Sequence, residues 1–262
     1  MIAAKNSDSM QFSEVGKGLP VVLVHGFPLD RRVWEAQLQG LSDEHRVITV
    51  DLPGFGKSPV SGPFSAKSLA DDLHGLLRRI GALPCVLGGL SMGGYVALAF
   101  AEYHASDLKG LILVDTRAEG DTPQGKEGRA AMIELVRAKG SPAVADQMMP
   151  RMVSEATKAN QPSVVKKLQA IMEACPAKTI EYACGAMRDR KDYSGELGSI
   201  KMPTLVIVGE SDAITPPAMA ENMHRSIAGS KIAIIPQAGH MSPMEQPAAV
   251  TKAIAEFLGG IV

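Results

Sequence analysis

Pro84-Cys85-Val86-Leu87-Gly88-Gly89-Leu90-Ser91-Met92-Gly93-Gly94 joins a short apolar run, Pro84–Leu87, to an Ala- and Leu-rich segment, Met92–His104. The run has the length of a buried strand, and the segment has the length and composition of a helix. Between them, Gly89, Leu90, Ser91, Met92 and Gly93 make a Gly-x-Ser-x-Gly turn. A strand that passes into a helix this quickly needs a turn too tight for side chains on both sides of its tip. Gly89 and Gly93 leave that room, and the Ser91 hydroxyl projects into open space. The helix that follows aims its first N–H groups at the same place, which favours negative charge there. Ser91 is therefore the candidate nucleophile.

Runs of the same kind recur on both sides. Leu19–Val24, His45–Val50, Leu108–Asp115, Pro203–Val208 and Lys231–Ile235 join Pro84–Leu87 as expected strands. Continuous apolar runs without polar alternation belong to strands buried on both faces, and hence to a parallel sheet. Helical spacing marks Asp30–Leu41, Ser65–Ile80, Met92–His104, Pro216–Ile227 and Glu245–Leu258, with Ser65 and Ser68 as caps of the second. Strand alternating with helix predicts a doubly wound α/β fold. From Thr116 to about Gly198 the strand patterns cease. Gln124–Lys139, Ser141–Met152, Gln161–Ala174 and Pro176–Arg190 read as helices, punctuated by Gly140, Pro142, Pro162 and Pro176. The expected division is an α/β core over 1–115 and 199–262, with a helical insertion over 116–198.

The loop after the last strand, Gln237-Ala238-Gly239-His240, offers a base. A histidine there can reach a serine at the end of a middle strand, and an ordinary pKa of ~6.5 suits proton transfer at neutral pH. His45, His74, His104 and His224 fall in helices or at element ends and read as surface groups. Gly209-Glu210-Ser211-Asp212 follows the fifth run, and Asp212 is the first choice for the carboxylate that orients His240. Glu210, two residues earlier, and Asp115, at the end of the preceding strand, are the alternatives. A capping role ahead of Pro216-Pro217 is the structural alternative for Asp212. Acyl transfer also needs two N–H donors for the developing oxyanion. The backbone N–H groups of Met92 and of Phe27, in His25-Gly26-Phe27-Pro28, are the candidates. Pro28 has no N–H to give, and His25 reads as a residue that holds the loop. Asp51-Leu52-Pro53-Gly54-Phe55-Gly56-Lys57-Ser58 lacks the spacing of a phosphate-binding loop and reads as a structural turn.

The chain has 262 residues and a net charge of -1, which favours neither nucleic acid nor an anionic membrane as partner. No stretch approaches the ~20 apolar residues of a membrane helix. Met1–Met10, with Lys5, Asn6, Ser7, Asp8 and Ser9, is too polar for a signal peptide, so a cytoplasmic location is expected. Three cysteines, Cys85, Cys175 and Cys184, fit neither a disulfide framework nor a zinc site, and Cys85 reads as a buried small hydrophobe. Met132, Met148, Met149, Met152, Met172 and Met187 lie in the insertion. Core packing is the reading for most of them; any that line a pocket imply an apolar substrate of modest size.

His-Gly-Phe-Pro at 25–28, Asp-x-Pro-Gly-Phe-Gly-x-Ser at 51–58, Gly-Leu-Ser-Met-Gly-Gly at 89–94, Gly-Glu-x-Asp at 209–212 and Gly-His at 239–240 resemble, in kind and order, the signature of the α/β-hydrolase superfamily. The resemblance covers nearly the whole chain. It implies a mostly parallel sheet flanked by helices, a triad of Ser91, Asp212 and His240, and a helical lid at 116–198 after the family's sixth strand. Met1–Met10 lacks the first strand that the family usually shows. Haloalkane dehalogenases and epoxide hydrolases of this fold use an Asp nucleophile, which Ser91 argues against. The loop at 25–28 is similar to that of small carboxylesterases and of cofactor-free haloperoxidases, which are perhydrolases. The overall pattern is also similar to the 3-oxoadipate enol-lactonases. The implied activity is hydrolysis of small to medium apolar carboxylic esters through an acyl-enzyme, with no cofactor and no metal. A lactone or enol-lactone hydrolase with a perhydrolase side activity uses the same triad; hydrolysis of a C–C bond fits less well. A non-catalytic small-molecule receptor on the same scaffold is the reading from another class, and an intact triad argues against it.

Overall fold

A computed structural model describes residues 9–59 and 62–261. The polar segment Met1–Asp8, and with it most of the signal-peptide reading, lies outside the described residues. Seven strands form one sheet: β1 (Phe12–Val15), β2 (Pro20–Val24), β3 (Arg46–Val50), β4 (Cys85–Leu90), β5 (Leu108–Val114), β6 (Thr204–Gly209) and β7 (Lys231–Ile235), in the order β1-β3-β2-β4-β5-β6-β7. Only β1 runs antiparallel, against β3; every other pair is parallel. The sheet is the mostly parallel α/β sheet expected, with one strand more than the apolar runs announced. β1 escaped the sequence reading because Phe-Ser-Glu-Val is an edge strand only partly buried, not a continuous apolar run.

Inside the sheet, successive side chains alternate between two cores. Val22 and Val24 of β2 join Leu87, Leu111, Leu113 and Val206 on one face. Val21 and Leu23 join Val86, Leu90, Ile112 and Val114 on the other. The first face is covered by α2 (Ala66–Arg79) and α3 (Met92–Tyr103), which contribute Leu69, Leu73, Leu76, Val96 and Phe100. Ser65 caps α2 in a reciprocal box with Ser68, as its sequence predicts. The second face is covered by a 3-10 turn at Arg31–Trp34, by α1 (Glu35–Gly40) and by α10 (Pro247–Leu258), with Trp34, Leu38, Ile254 and Phe257 inward. Two helical segments thus break up more than their periodicity implied. Asp30 caps the 3-10 turn rather than an α-helix. A separate short helix, α9 (Ser242–Glu245), precedes α10.

Between β5 and β6 lie only helices: α4 (Pro123–Met152), α5 (Glu155–Asn160), α6 (Pro162–Glu173) and α7 (Ala177–Arg188); α8 (Pro217–Ser226) follows β6. α4 breaks at Gly140, where φ is 76°, so its halves match the two helices read from the sequence. The insertion follows the fifth strand of the described sheet, not a sixth. The count differs because the described sheet opens with β1 and has no further strand ahead of it. Val136, Val144, Ile180, Ala183 and Met187 of the insertion share a hydrophobic core with the helices of the sheet's first face. Among the described residues no helix is long and apolar enough to cross a membrane.

Candidate active site

Parallel strands carry their C-terminal ends to one edge of the sheet. In register, Val24 stands beside Gly89, Gly89 beside Leu113, Val114 beside Ile207, and Gly209 beside Ile235. The loops that begin at His25, Ser91, Asp115, Glu210 and Pro236 therefore open side by side. In such sheets the chain order reverses at one point, here between β2 and β4, and the crevice outside the strand ends there is where ligands bind.

Ser91 follows β4 at the tip of the turn, with φ 53° and ψ -113°, a conformation rare for a residue with a side chain. The neighbours hold it there. Its N–H donates to the Val114 carbonyl at 2.9 Å, and its carbonyl accepts from the Thr116 hydroxyl at 2.8 Å and the Gly94 N–H at 2.9 Å. A Cβ on Gly89 would lie 2.2 Å from the Gly93 carbonyl oxygen, and one on Gly93 would lie 2.4 Å from that of Val24. The two glycines of the motif are thus required by backbone contacts.

His240 Nε2 lies 2.9 Å from Ser91 Oγ, and its Nδ1 lies 2.8 Å from Asp212 Oδ2. His240 and its partner Asp212 are buried, at 2% and 3% exposure, while Ser91 is partly open. The Asp212 carboxylate is held from behind. Oδ1 accepts the N–H groups of Ile214 at 2.7 Å and Thr215 at 2.9 Å, and Oδ2 accepts the Thr215 hydroxyl at 2.7 Å. Burial works against the charge on His240, but the Asp212 carboxylate, by charge and hydrogen bond, raises its pKa above the ordinary value, aided by Asp115 and Glu245. Asp212 is the mirror case: burial pushes its pKa up, and His240 and Thr215 bring it below the usual carboxylate value.

The other acidic candidates are elsewhere. Glu210 is exposed and accepts the Gln237 N–H at 3.2 Å. Asp115 is buried with φ 43° and accepts the Gly209 N–H at 2.8 Å, the Ser242 N–H at 3.1 Å and the Ser242 hydroxyl at 2.6 Å. It ties β5 to the start of the His240 loop's helix rather than touching the imidazole.

The loop after β2 lies against the turn: a Cβ on Gly26 would be 3.1 Å from the Ser91 Cβ. No hydrogen bond among the described residues engages the backbone N–H of Phe27 or of Met92. His25 is fully buried and does hold this loop. Its Nε2 accepts the Leu52 N–H at 3.1 Å, which leaves the proton on Nδ1, and Nδ1–H donates to the Gly26 carbonyl at 2.7 Å. Burial lowers its pKa and keeps it neutral. The loop at 51–58 is a structural turn as expected. Asp51 pairs with the Arg31 guanidinium and accepts the Lys57 N–H at 2.9 Å, and its carboxylate fills the space that a Cβ on Gly56 would need. Among the described residues no group of three or more His, Cys, Asp or Glu side chains is placed to hold a metal ion. Cys85, Cys175 and Cys184 are free and buried, and burial pushes the Cys85 thiol up to about 12.

Three residues of the site were missed in the sequence: Thr116, Thr215 and Glu245. Asp-x-x-Thr at 212–215 carries a faint signal, the spacing of a side chain capping its own turn. Thr116 has none, since its partner Ser91 is remote in the chain, and Glu245 has none because its near partners, Gly239 and Met241, offer only backbone N–H groups and its third, Ser154, is remote.

A seven-stranded, mostly parallel sheet with a serine on a strained turn and a histidine and carboxylate in line behind it defines an α/β enzyme of the hydrolytic kind. The model of the Alpha/beta hydrolase family matches residues 21–253, and the chain belongs to that family. A thermophilic esterase from Thermogutta terrifontis is similar in structure at a TM-score of 0.93 and 48% identity, over 95% of this chain and 93% of that one. The enol-lactonase from Burkholderia xenovorans LB400 is similar at a TM-score of 0.89 and 28% identity, over 95% and 96%. The AB hydrolase superfamily protein YisY of Bacillus subtilis (strain 168) is 31% identical over 93% of each chain.

Proposed function

We propose that the chain is a carboxylic ester hydrolase that works through an acyl-enzyme, with Ser91 as nucleophile, His240 as base and Asp212 as the carboxylate that orients it. The observation that carries this reading is the unbroken line from Ser91 Oγ to His240 Nε2 at 2.9 Å and from Nδ1 to Asp212 Oδ2 at 2.8 Å. Asp212 keeps the proton on Nδ1, so Nε2 is free to take the Ser91 proton as Oγ attacks the ester carbonyl. The N–H groups of Phe27 and Met92 hold the oxyanion. The C–O bond breaks, His240 returns the proton to the departing alcohol, and water repeats the steps to release the acid.

The substrate is a small to medium apolar ester. Support comes from the walls of a small cavity of about 10 Å³ beside Met92, the residue after the nucleophile. Leu69, Tyr95, Val96 and Met187 are apolar and Arg190 closes one side. With room for about one water, the cavity gives the character of the wall and must widen to admit an ester. The insertion at 116–198 acts as the lid that supplies part of this wall. The 48% identity to the Thermogutta esterase favours ester hydrolysis. The likeness to an enol-lactonase at 28% identity favours a second reading, a lactone hydrolase with the same triad. Three unpaired cysteines fit a cytoplasmic setting.

Rates on p-nitrophenyl esters of rising chain length, charged and sugar esters, lactones and an enol-lactone test the proposal. Short-chain and aryl esters should give the highest kcat/KM, and Ser91→Ala should lower it at least about a thousandfold. A tenfold preference for charged or sugar esters would refute the substrate class. A lactone at the head of the panel would select the second reading.

A further inference from the structure

Glu245 is a buried carboxylate for which acyl transfer has no use. It ends the four-residue α9, five positions after His240, and only 2% of it is exposed. Its Oε1 accepts the N–H groups of Gly239 at 2.8 Å and Met241 at 3.1 Å, the two residues that flank His240. Its Oε2 accepts the N–H of Ser154 at 2.8 Å. Ser154 lies in the insertion, between α4 and α5, and its hydroxyl donates to the Gln237 carbonyl at 3.0 Å. The two segments touch closely: a Cβ on Gly239 would stand 2.6 Å from the Ser154 nitrogen. Apolar packing could join two loops without a buried acid. A carboxylate is tolerated there only because both oxygens are met by donors, and those donors belong to both neighbours of the base and to one insertion amide.

We propose that Glu245 is a positioning residue, which fixes the loop carrying His240 and fastens it to the insertion at Ser154, so that base and insertion hold their places as one unit. The inference rests on His240 being the base. On this view the corner at Val153–Asn160 is an anchor, and any opening of the insertion takes place elsewhere.

Glu245→Gln tests it. The amide is nearly the same size, but its NH2 must face either the Gly239 and Met241 donors or the Ser154 donor. The expected result on a short-chain ester is a kcat lower by roughly ten- to a hundredfold with KM little changed, because the base is misplaced while the pocket survives. The acid limb of the rate profile should also move to lower pH. Asp212, Asp115 and Glu245 are the acidic groups that face His240, and the variant removes one of them. Glu245→Asp, which keeps the charge but not the reach, should restore the acid limb and leave kcat low. Loss of stability alone would not move that limb. Hydrogen exchange on the wild-type protein gives a readout that needs no variant to fold: the amides of Gly239, Met241 and Ser154 should exchange through one shared opening. Independent opening of Ser154, or a Glu245→Gln variant with wild-type kcat and acid limb, would overturn the proposal. Ser91→Ala measured alongside separates the failures. An inactive Ser91→Ala beside an unchanged Glu245→Gln defeats this inference alone, whereas an active Ser91→Ala defeats the reading of the site and this inference with it.

Discussion

Asp115 and Asp212 end or follow neighbouring strands, both are buried, and each bears on the charge of His240. Their surroundings push them in opposite directions. Asp212 gains the imidazolium and the Thr215 donors, which outweigh its burial. Burial, and then the charge on Asp212, drive the Asp115 pKa up to about 8, against weaker pulls from His240, Ser242 and Gly209. Burial thus weighs against the charge on Asp115, where it is outweighed on Asp212. A folded-state pKa above the unfolded value means that its contribution to stability is whole below pH 4 and is lost as pH rises towards 8. Asp115→Asn has no such dependence. Relative to the wild-type protein it should therefore gain stability steadily between pH 5 and pH 8, by at most ~1.4 kcal/mol per pH unit. Urea unfolding at several pH values checks this, and a difference that stays constant with pH contradicts it. Strand-end position alone made both residues candidates. What separates them is the hydrogen bond to the imidazole, which Asp212 makes and Asp115 does not, and which only folding supplies.

The strand–turn–helix from Cys85 to Tyr103 was legible because sterics leave so few residue types at its tip. Gly93→Ala places a methyl group against the carbonyl oxygens of Val24 at 2.4 Å and His25 at 2.7 Å, both backbone atoms that cannot swing aside. Chemical denaturation should show a loss of about 1–3 kcal/mol, with reduced ester hydrolysis, because the loop bearing Phe27 is displaced along with the turn. Unchanged stability would mean that the turn yields to a methyl group. The six apolar runs and the strand-free insertion were equally plain, since buried parallel strands and amphipathic helices differ in period. The break at Gly140 was visible for the same reason that it forms, a left-handed φ of 76° just ahead of Pro142. Less was visible where tertiary contacts set the boundary. β1 is an edge strand whose pairing with β3 depends on a partner more than thirty residues away. The turn at Arg31–Trp34 is fixed by the ion pair of Arg31 with Asp51, which helical periodicity does not report. The methionines of the insertion mostly pack as expected: Met152, Met172 and Met187 are buried, and Met132, Met148 and Met149 lie against the cores.

Across the whole molecule, the residues proposed as nucleophile, base and acid, and the two proposed N–H donors, come from loops after four strands: β2, β4, β6 and β7. Parallel register brings them to one edge, and hydrogen bonds from Thr116, Thr215, His25 and Glu245 fix each loop in turn. If that convergence makes Ser91 a nucleophile, its hydroxyl should react with a fluorophosphonate at a rate that depends on His240. The direct measurement is peptide mapping by mass spectrometry after labelling, with wild type and His240→Ala followed in time. A single adduct on the peptide containing Ser91 is expected, formed at least about a hundredfold more slowly without the imidazole. An adduct on another residue, no adduct at all, or equal rates in the two proteins would contradict it.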